Sequence, residues 1–373
     1  MYCNVESKDI QDIKTTNILT QTSFWARIKN QQGFQPYAFK IQATKDLVSP
    51  EENGNVKIQD DLLILIKYIN YSSCFAYVPY GPRIEPEFEN YGIFLEELSE
   101  VLKSHLPSNC ILIRYDLPWE NQWATEDDFF DNCGNWLGPP PVNTQEFRLN
   151  FNTHNWNLRK SPSDILPTNT FFLNLNQKQE QLIQKMKPKT RYNIRLSFRK
   201  GIQVKEYGID KLADWYALYK ETAIRNNLTL HSIHYFRSIL ANQECLDEDV
   251  RSSLLMADYN GEYLAAMFLL LSKNRGTYLY GASSSISRQF MASYAIQWEA
   301  IKRARQFGCK EYDMFGSAPN ANNSHPLYGL YRFKSGFGGN LYHRMGCWDY
   351  PIDMNEYAIF KAQEVNNQKY HAC

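Results

Sequence analysis

The chain has 373 residues, 43% of them hydrophobic, and its 40 basic and 40 acidic side chains cancel. That length and apolar content predict two packed domains and exclude a disordered polyelectrolyte, and with no net charge any basic device must be local. The longest apolar run, residues 263–271, is far too short to span a bilayer, and the opening residues lack a basic segment followed by an apolar core, so neither a membrane span nor a signal peptide is expected.

In the first half, residues 22–33 read as a helix with Thr22 or Ser23 at its start and Gly33 past its end. Residues 35–43 alternate like a strand, and 45–55 form a polar loop. Residues 62–69 and 74–78 read as a strand pair, followed by a turn at Tyr80-Gly81-Pro82. An amphipathic helix is expected over 88–105, then a buried strand over 110–115 that ends at Asp116. Residues 118–155, rich in Trp, Asn, Asp and Pro, read as an irregular insertion.

A second unit begins near Thr168, with a strand at 171–175 and a short helix at 179–186. A basic helix runs from Pro188 to Gly201, and a strand follows at 202–207. Helices are predicted at 211–226 and 234–242. Strands 253–259 and 263–273 flank Asn260-Gly261, a hairpin signal. A strand at 277–282, a Ser/Arg loop, a helix at 293–307 and a strand at 309–314 follow. A Gly/Asn/Pro loop then runs to Pro326, and the chain closes with 330–342 and a strand-like 345–350. Helices and strands recur in a similar order in both halves. The fold class predicted is α/β (α+β) with a duplicated mixed sheet, and the second half has the order of a GNAT-type N-acyltransferase domain.

The basic helix carries the clearest chemical signal. No acid lies between Gln181 and Lys205, while Lys185, Lys187, Lys189, Arg191, Arg195, Arg199, Lys200 and Lys205 all do or bound that stretch. Arg191, Arg195 and Arg199 recur at i, i+4, i+8 and share a face. A polyanion would relieve their repulsion; a solvated basic face is the plain alternative. Lys334 sits in an aromatic and glycine-rich segment, where a lysine can aim at a phosphate or an oxyanion, or can simply snorkel. Asp116 and Asp313 both end apolar strands, as catalytic carboxylates and ordinary turn residues both do. Lys29, beside Trp25, reads on its own as a surface residue.

No metal centre is indicated: the seven histidines form no ligand cluster, and His231 and His234 have no third partner. The eight cysteines, Cys245 and Cys373 among them, show no CxxC pair and read as reduced cytosolic thiols. No phosphate-binding GxxxxGK[ST] loop is present. Residues 288–293, RQFMAS, stand where a GNAT enzyme has its glycine-bearing pyrophosphate loop. Met291 and Ser293 take the glycine positions, which weakens a coenzyme A reading.

Four segments, LPTNTFFLNLNQKQEQLIQKMKPKTRYNIRLSFRKGIQV, YLYGASSS, YAIQWEAIKRARQFGCKEYDMFGSAP and YGLYRFKSGFGG, together resemble the Fem-type peptidoglycan bridge-forming aminoacyltransferases. SFWARIK, FAYVPYGP and LIRYDLPW resemble them less densely. The resemblance implies two GNAT-like domains: residues 1–165 with 344–373 on the precursor side, and 166–343 on the aminoacyl-tRNA side. It implies a short form without a coiled-coil arm, since residues 211–242 lack heptads.

The activity implied is transfer of an amino acid, of the Gly, Ala or Ser class, from aminoacyl-tRNA to the stem-peptide amine of lipid II or UDP-MurNAc-pentapeptide. No cofactor is implied beyond that co-substrate. The setting implied is cytoplasmic, with peripheral association at the inner membrane face left open, and without DNA. By resemblance, Lys334 and Asp116 match catalytic positions. Lys29, Thr229, His231, Tyr235, Tyr280 and Phe333 match substrate-binding ones, with His231 where the family pattern has Arg. The basic helix, through Lys189, Arg191, Arg195 and Arg199, is assigned to tRNA. The alternatives are a GNAT-like N-acyltransferase with another donor, transfer onto a protein N-terminus, and a non-enzymatic tRNA-binding protein.

Overall fold

A computed structural model describes residues 3–44, 57–241 and 250–371. The polar loop expected at 45–55, the end of the helix expected at 234–242, Cys245 and Cys373 lie outside the described residues. The rest divides into two compact units: residues up to 14, 20–168 and from 343 on, and residues 15–19 with 169–342. The fold class is mixed α/β, with sheets flanked by helices, as expected.

The first unit opens with β1 (Cys3–Lys8), then α1 (Ser23–Asn30) and β2 (Gln35–Thr44). Thr22 caps α1, its hydroxyl accepting the Trp25 N–H at 3.2 Å, so one orphan donor of the first turn is satisfied. Strand β3 (Lys57–Tyr68) pairs antiparallel with β2 and β4 (Cys74–Val78). Residues 61–66 are buried on both faces, which explains the unbroken DLLILI run instead of alternation. Helix α2 (Tyr91–Leu102) then crosses to β5 (Cys110–Glu120), which lies parallel to β4.

Two expectations are corrected here. Strand β5 does not stop at Asp116 but runs on to Glu120. Pairing with β4 ends at Tyr115, yet the other neighbour of β5 continues to Glu120, so the strand survives Pro118. The supposed irregular insertion holds a helix, α3 (Val142–Asn150), started by the proline run. It packs closely on α2: a Cβ on Gly92 would stand 1.7 Å from the Leu149 carbonyl oxygen. A short strand, β6 (Arg159–Lys160), follows.

The second unit begins with β7 (Asn169–Asn174), α4 (Gln179–Lys185) and the basic helix α5 (Pro188–Arg199). Strand β8 (Gln203–Tyr207) and helices α6 (Leu212–Arg225) and α7 (Ile233–Ala241) come next. Strands β9 (Val250–Tyr259) and β10 (Glu262–Ser272) form the expected hairpin, with Asn260 and Gly261 both at positive φ. After β11 (Arg275–Ser283), α8 (Ala292–Phe307) crosses to β12 (Glu311–Asp313), parallel to β11. Segment 330–342 begins inside helix α9 (Tyr328–Lys334) and ends inside the strand that follows it.

The chain then returns. Strand β13 (Asn340–Pro351) pairs antiparallel with β5 from Arg344 onward, and α10 (Met354–His371) follows. Sequence reading missed α10, whose exposed polar faces leave no clear apolar stripe. A buried ion cluster holds it: Arg114 on β5 bonds both carboxylate oxygens of Asp349 (2.7 and 2.9 Å) and of Glu364 on α10 (2.8 and 2.9 Å).

The two sheets share one plan. Among the described residues each has a single parallel pair, β4–β5 or β11–β12, joined by a helix and preceded by an antiparallel hairpin. The first runs β1-β2-β3-β4-β5-β13, the second β7-β12-β11-β10-β9-β8. Each packs its own core, around Phe94, Trp119 and Trp348 in one and Met267, Ile301 and Tyr312 in the other.

Candidate functional site

In the first unit, α1, β3, β4 and α10 enclose a pocket of about 490 Å³. Helical spacing puts Trp25 and Lys29 on one face of α1, and Gly33 turns the chain so that Phe34 returns to the same cavity. Lys29 is therefore a pocket residue, not the surface residue its neighbours in sequence suggest. Its Nζ donates to Gln32 Oε1 at 2.9 Å and lies 5.0 Å from the Trp25 ring centre. Burial, then repulsion from Lys67, pushes its ammonium down to about 8.

Asp116 is fully buried in the middle of β5 and forms no part of the pocket wall. Its Oδ2 accepts from the Tyr77 hydroxyl at 2.9 Å and from the Leu166 N–H at 3.0 Å, and both of those residues do line the pocket. Burial pushes the carboxyl up to about 6, against the two donors.

In the second unit the structure gathers His231, Tyr235 and Tyr280. The Tyr235 and Tyr280 hydroxyls are 3.1 Å apart, and the His231 ring lies 5.0 and 5.6 Å from those two rings. Thr229 joins through its backbone, its carbonyl accepting from the Tyr219 hydroxyl at 3.5 Å. Burial raises both tyrosines, Tyr280 to about 12, so they stay protonated near neutrality. Tyr216 and Tyr219, which also bond the 229–231 backbone, went unnoticed in the sequence; only their i, i+3 spacing on α6 could have flagged them.

Lys334 is not the snorkelling lysine of the plain sequence reading. It neither snorkels nor projects from a glycine loop: it is 4% exposed, and its Nζ donates to the Phe315 carbonyl at 3.0 Å and the Gly316 carbonyl at 2.6 Å. Burial pushes it down to about 7, partly offset by Asp313. Asp313 is itself committed, accepting from the Thr170 hydroxyl and the Phe315 N–H. Phe333 packs against Tyr294 and Phe337 and faces a different cavity, of about 480 Å³. Arg225, Arg288 and several serines line that cavity beside the start of α8. Met291 sits there at φ +55°, in the left-handed region.

On α5, Lys189, Arg195 and Arg199 are exposed. Arg191 is not free to join them: its Nη1 donates to the Met186 and Gln184 carbonyls at 2.5 and 3.1 Å, closing the end of α4. The shared arginine face expected from spacing is thus reduced to two.

The FemAB family model matches residues 10–244 and 249–364. The chain belongs to the FemAB family. Among relatives, it is 24% identical over 258 residues to a lipid II:glycine glycyltransferase of Staphylococcus haemolyticus, covering 53% of this chain and 62% of that protein. It is 32% identical over 123 residues to the protein of that name from Staphylococcus saprophyticus, covering 33% of this chain and 29% of that protein. This FemAB-family chain therefore spans about three fifths, at most, of the length of these relatives. The crystal structure of FemX superposes with a TM-score of 0.69 at 18% identity, covering 96% of this chain and all of that one, a likeness of fold.

Proposed function

We propose that this FemAB-family chain is a tRNA-dependent aminoacyltransferase that adds an amino acid, glycine first among candidates, to the stem-peptide amine of a peptidoglycan precursor. The single observation that carries the reading is the family match over nearly the whole chain, with relatives named for glycyl transfer to lipid II. In this reading the first unit takes the precursor in the pocket of Lys29, and the second takes charged tRNA along Lys189, Arg195 and Arg199.

The chemistry needs no further activation, because an aminoacyl ester is already a good acyl donor. The amine attacks the ester carbonyl, the amide bond forms, and the tRNA 3′ hydroxyl leaves. An alkyl amine is charged at neutral pH and must lose a proton first. Asp116 accepts it through Tyr77: the amine proton passes to the Tyr77 oxygen as the Tyr77 proton passes to the carboxylate. Lys334 has three N–H donors, of which two serve carbonyls; the third is assigned to the ester oxygen as it becomes an oxyanion. Thr229, His231, Tyr235 and Tyr280 are assigned to substrate binding, as the resemblance implies. Among the described residues no helix is long and apolar enough to cross a membrane, so contact with lipid II would be peripheral.

A second reading has one observation in its favour. The cavity lined by Arg225, Arg288 and serines would suit the phosphates of another acyl donor, such as coenzyme A. A mass-spectrometric endpoint assay separates the two. The purified chain is incubated with a pool of charged tRNAs and either lipid II or UDP-linked muropeptide. A precursor heavier by one amino-acid residue is the expected result. Inertness on both acceptors, with acetylation of an amine from acetyl-CoA, would replace the first reading with the second.

A further inference from the structure

The aromatic-rich segment after Pro118 has no part in the chemistry above, yet it leaves three large rings together in solvent. Helix α3 turns Gln145, Leu149 and Asn150 inward, and Phe147 and the Phe151 that ends the helix are left 59% and 56% exposed. Trp156 joins them at 42% exposed. The Phe147 ring centre is 5.5 Å from that of Trp156 and 6.4 Å from that of Phe151. Single exposed apolar residues are ordinary on a protein surface, whereas clustered ones mark contact sites.

The cluster is held in place against strain. Trp156 has φ +49°, in the left-handed region, where a bulky side chain is an outlier. Its neighbours pin the turn. Glu96 on α2 accepts the His154 and Asn155 N–H groups at 2.6 and 2.7 Å, and the Asn157 side chain donates to the Pro351 carbonyl at 2.7 Å. The Asn150 side chain bonds both backbone groups of Leu158. Core packing gives no reason to hold a half-exposed Trp in this way; presenting it to an external partner does.

Charge selects the partner. From Phe147 to Ser163 there is no acidic residue, while Arg148, Arg159 and Lys160 are basic. Arg148 pairs with Glu126 and Lys160 with Asp164. Arg159 makes no ion pair among the described residues, and its Nη1 donates to the Trp156 carbonyl at 2.6 Å. Trp and Phe beside an unpaired Arg suit the boundary of an anionic bilayer, where rings sit among headgroups and a guanidinium meets phosphate. Beyond β6 the same segment supplies Ser163, Ile165 and Leu166 to the pocket of Lys29.

We propose that Trp156, Phe147 and Phe151, with Arg159, dock the first unit on the surface of an anionic bilayer. The proposal rests on the reading of a lipid-borne acceptor and adds the surface that reaches it.

The test is flotation of the full chain with vesicles of phosphatidylcholine alone or of an equimolar mixture with phosphatidylglycerol. The variants are Trp156→Gly, the double variant Phe147→Ser with Phe151→Ser, Arg159→Gln and Arg159→Lys. Ile224→Ser, at an exposed position of the second unit, is the control, and circular dichroism melts verify folding. The native chain should partition onto the mixed vesicles. Trp156→Gly and the double variant should lose about tenfold or more, and Arg159→Gln about fivefold. Arg159→Lys and Ile224→Ser should bind as the native chain does. Trp156→Gly should also melt no lower than the native chain, because glycine accepts the left-handed turn.

No flotation of the native chain, or native partitioning in both Trp156→Gly and the double variant, overturns the proposal. Self-association in sedimentation runs, lost in those variants and unaccompanied by flotation, would assign the surface to a second copy and overturn it as well. Flotation needs no transfer, so the two readings fail separately. Docking without any aminoacyl product condemns the reaction and keeps the surface. Product from vesicle-borne lipid II at native KM in Trp156→Gly condemns the surface and keeps the reaction.

Discussion

Asp116 and Lys334 show how burial changes what a residue type can do. A carboxyl held near 6 instead of its usual 3.8 is protonated in the fold while the unfolded chain has already released its proton. Between those values the native state binds more protons, so stability falls as pH rises from about 4 to 6, by about 3 kcal/mol in all. Asp116→Asn should remove that decline from a series of denaturant melts. If Asp116 is the base, the same variant should also lose the activity limb near pH 6 and cut turnover about a hundredfold or more, with Tyr77→Phe close behind. A purely structural Asp116 would change the melts and leave the limb.

Lys334 has the opposite sign. Its ammonium is held near 7, so the unfolded chain binds more protons above that value and stability rises with pH from about 7 toward 10.5. Lys334→Met should flatten that rise and take the lysine donor from the Gly316 carbonyl, while the Phe315 carbonyl keeps the Thr170 hydroxyl at 3.2 Å, costing about 1–3 kcal/mol in equilibrium melts. Turnover should also fall strongly. Normal turnover in a folded Lys334→Met chain would remove the residue from the reaction.

At the scale of elements, the basic helix α5 is informative because its arginines divide the labour. Arg191 closes the end of α4, so its removal should lower stability without a specific effect on tRNA. Arg195 and Arg199 are exposed and make no ion pair among the described residues. Neutralising both should weaken binding of charged tRNA and reduce the slope of log affinity against log salt by about 1–2. An unchanged slope in filter-binding titrations would take this helix out of the tRNA site. Lys189, on the first turn, should add less than one further unit.

Across the whole molecule, the decisive feature is that the chain comes back. The first unit contains β13 and α10, contributed from more than 170 residues beyond β6. A fragment ending at residue 168 would leave β5 with an open edge and Arg114 buried without Asp349 or Glu364. Breaking a buried pair of this kind costs about 3–5 kcal/mol, a large part of a domain's stability. Fragment 1–168 should therefore be unfolded or aggregated by circular dichroism and light scattering. The same fragment joined to 343–373 by a flexible linker should recover structure. A cooperatively folded 1–168 would show that the return is dispensable.

Local chemistry was enough to place most elements: the Thr22 cap and Gly33, the Asn260-Gly261 hairpin, Pro188 opening the basic helix, and the repeated order of helices and strands. These depend on hydrogen bonds and backbone preferences within a few residues, which a sequence displays directly. The motif segments were likewise enough to suggest the family. What the sequence could not show depended on partners far away in the chain. Strand β5 runs past Asp116 because β13 pairs with it, α10 stays docked because Arg114 reaches it, and Arg191 leaves its face because α4 ends beneath it. Lys29 became a pocket residue, and Lys67 its neighbour, only when α1 and β3 were packed together. Burial, charge repulsion and hydrogen-bond satisfaction are properties of neighbours in space, and tertiary structure alone decides who those neighbours are.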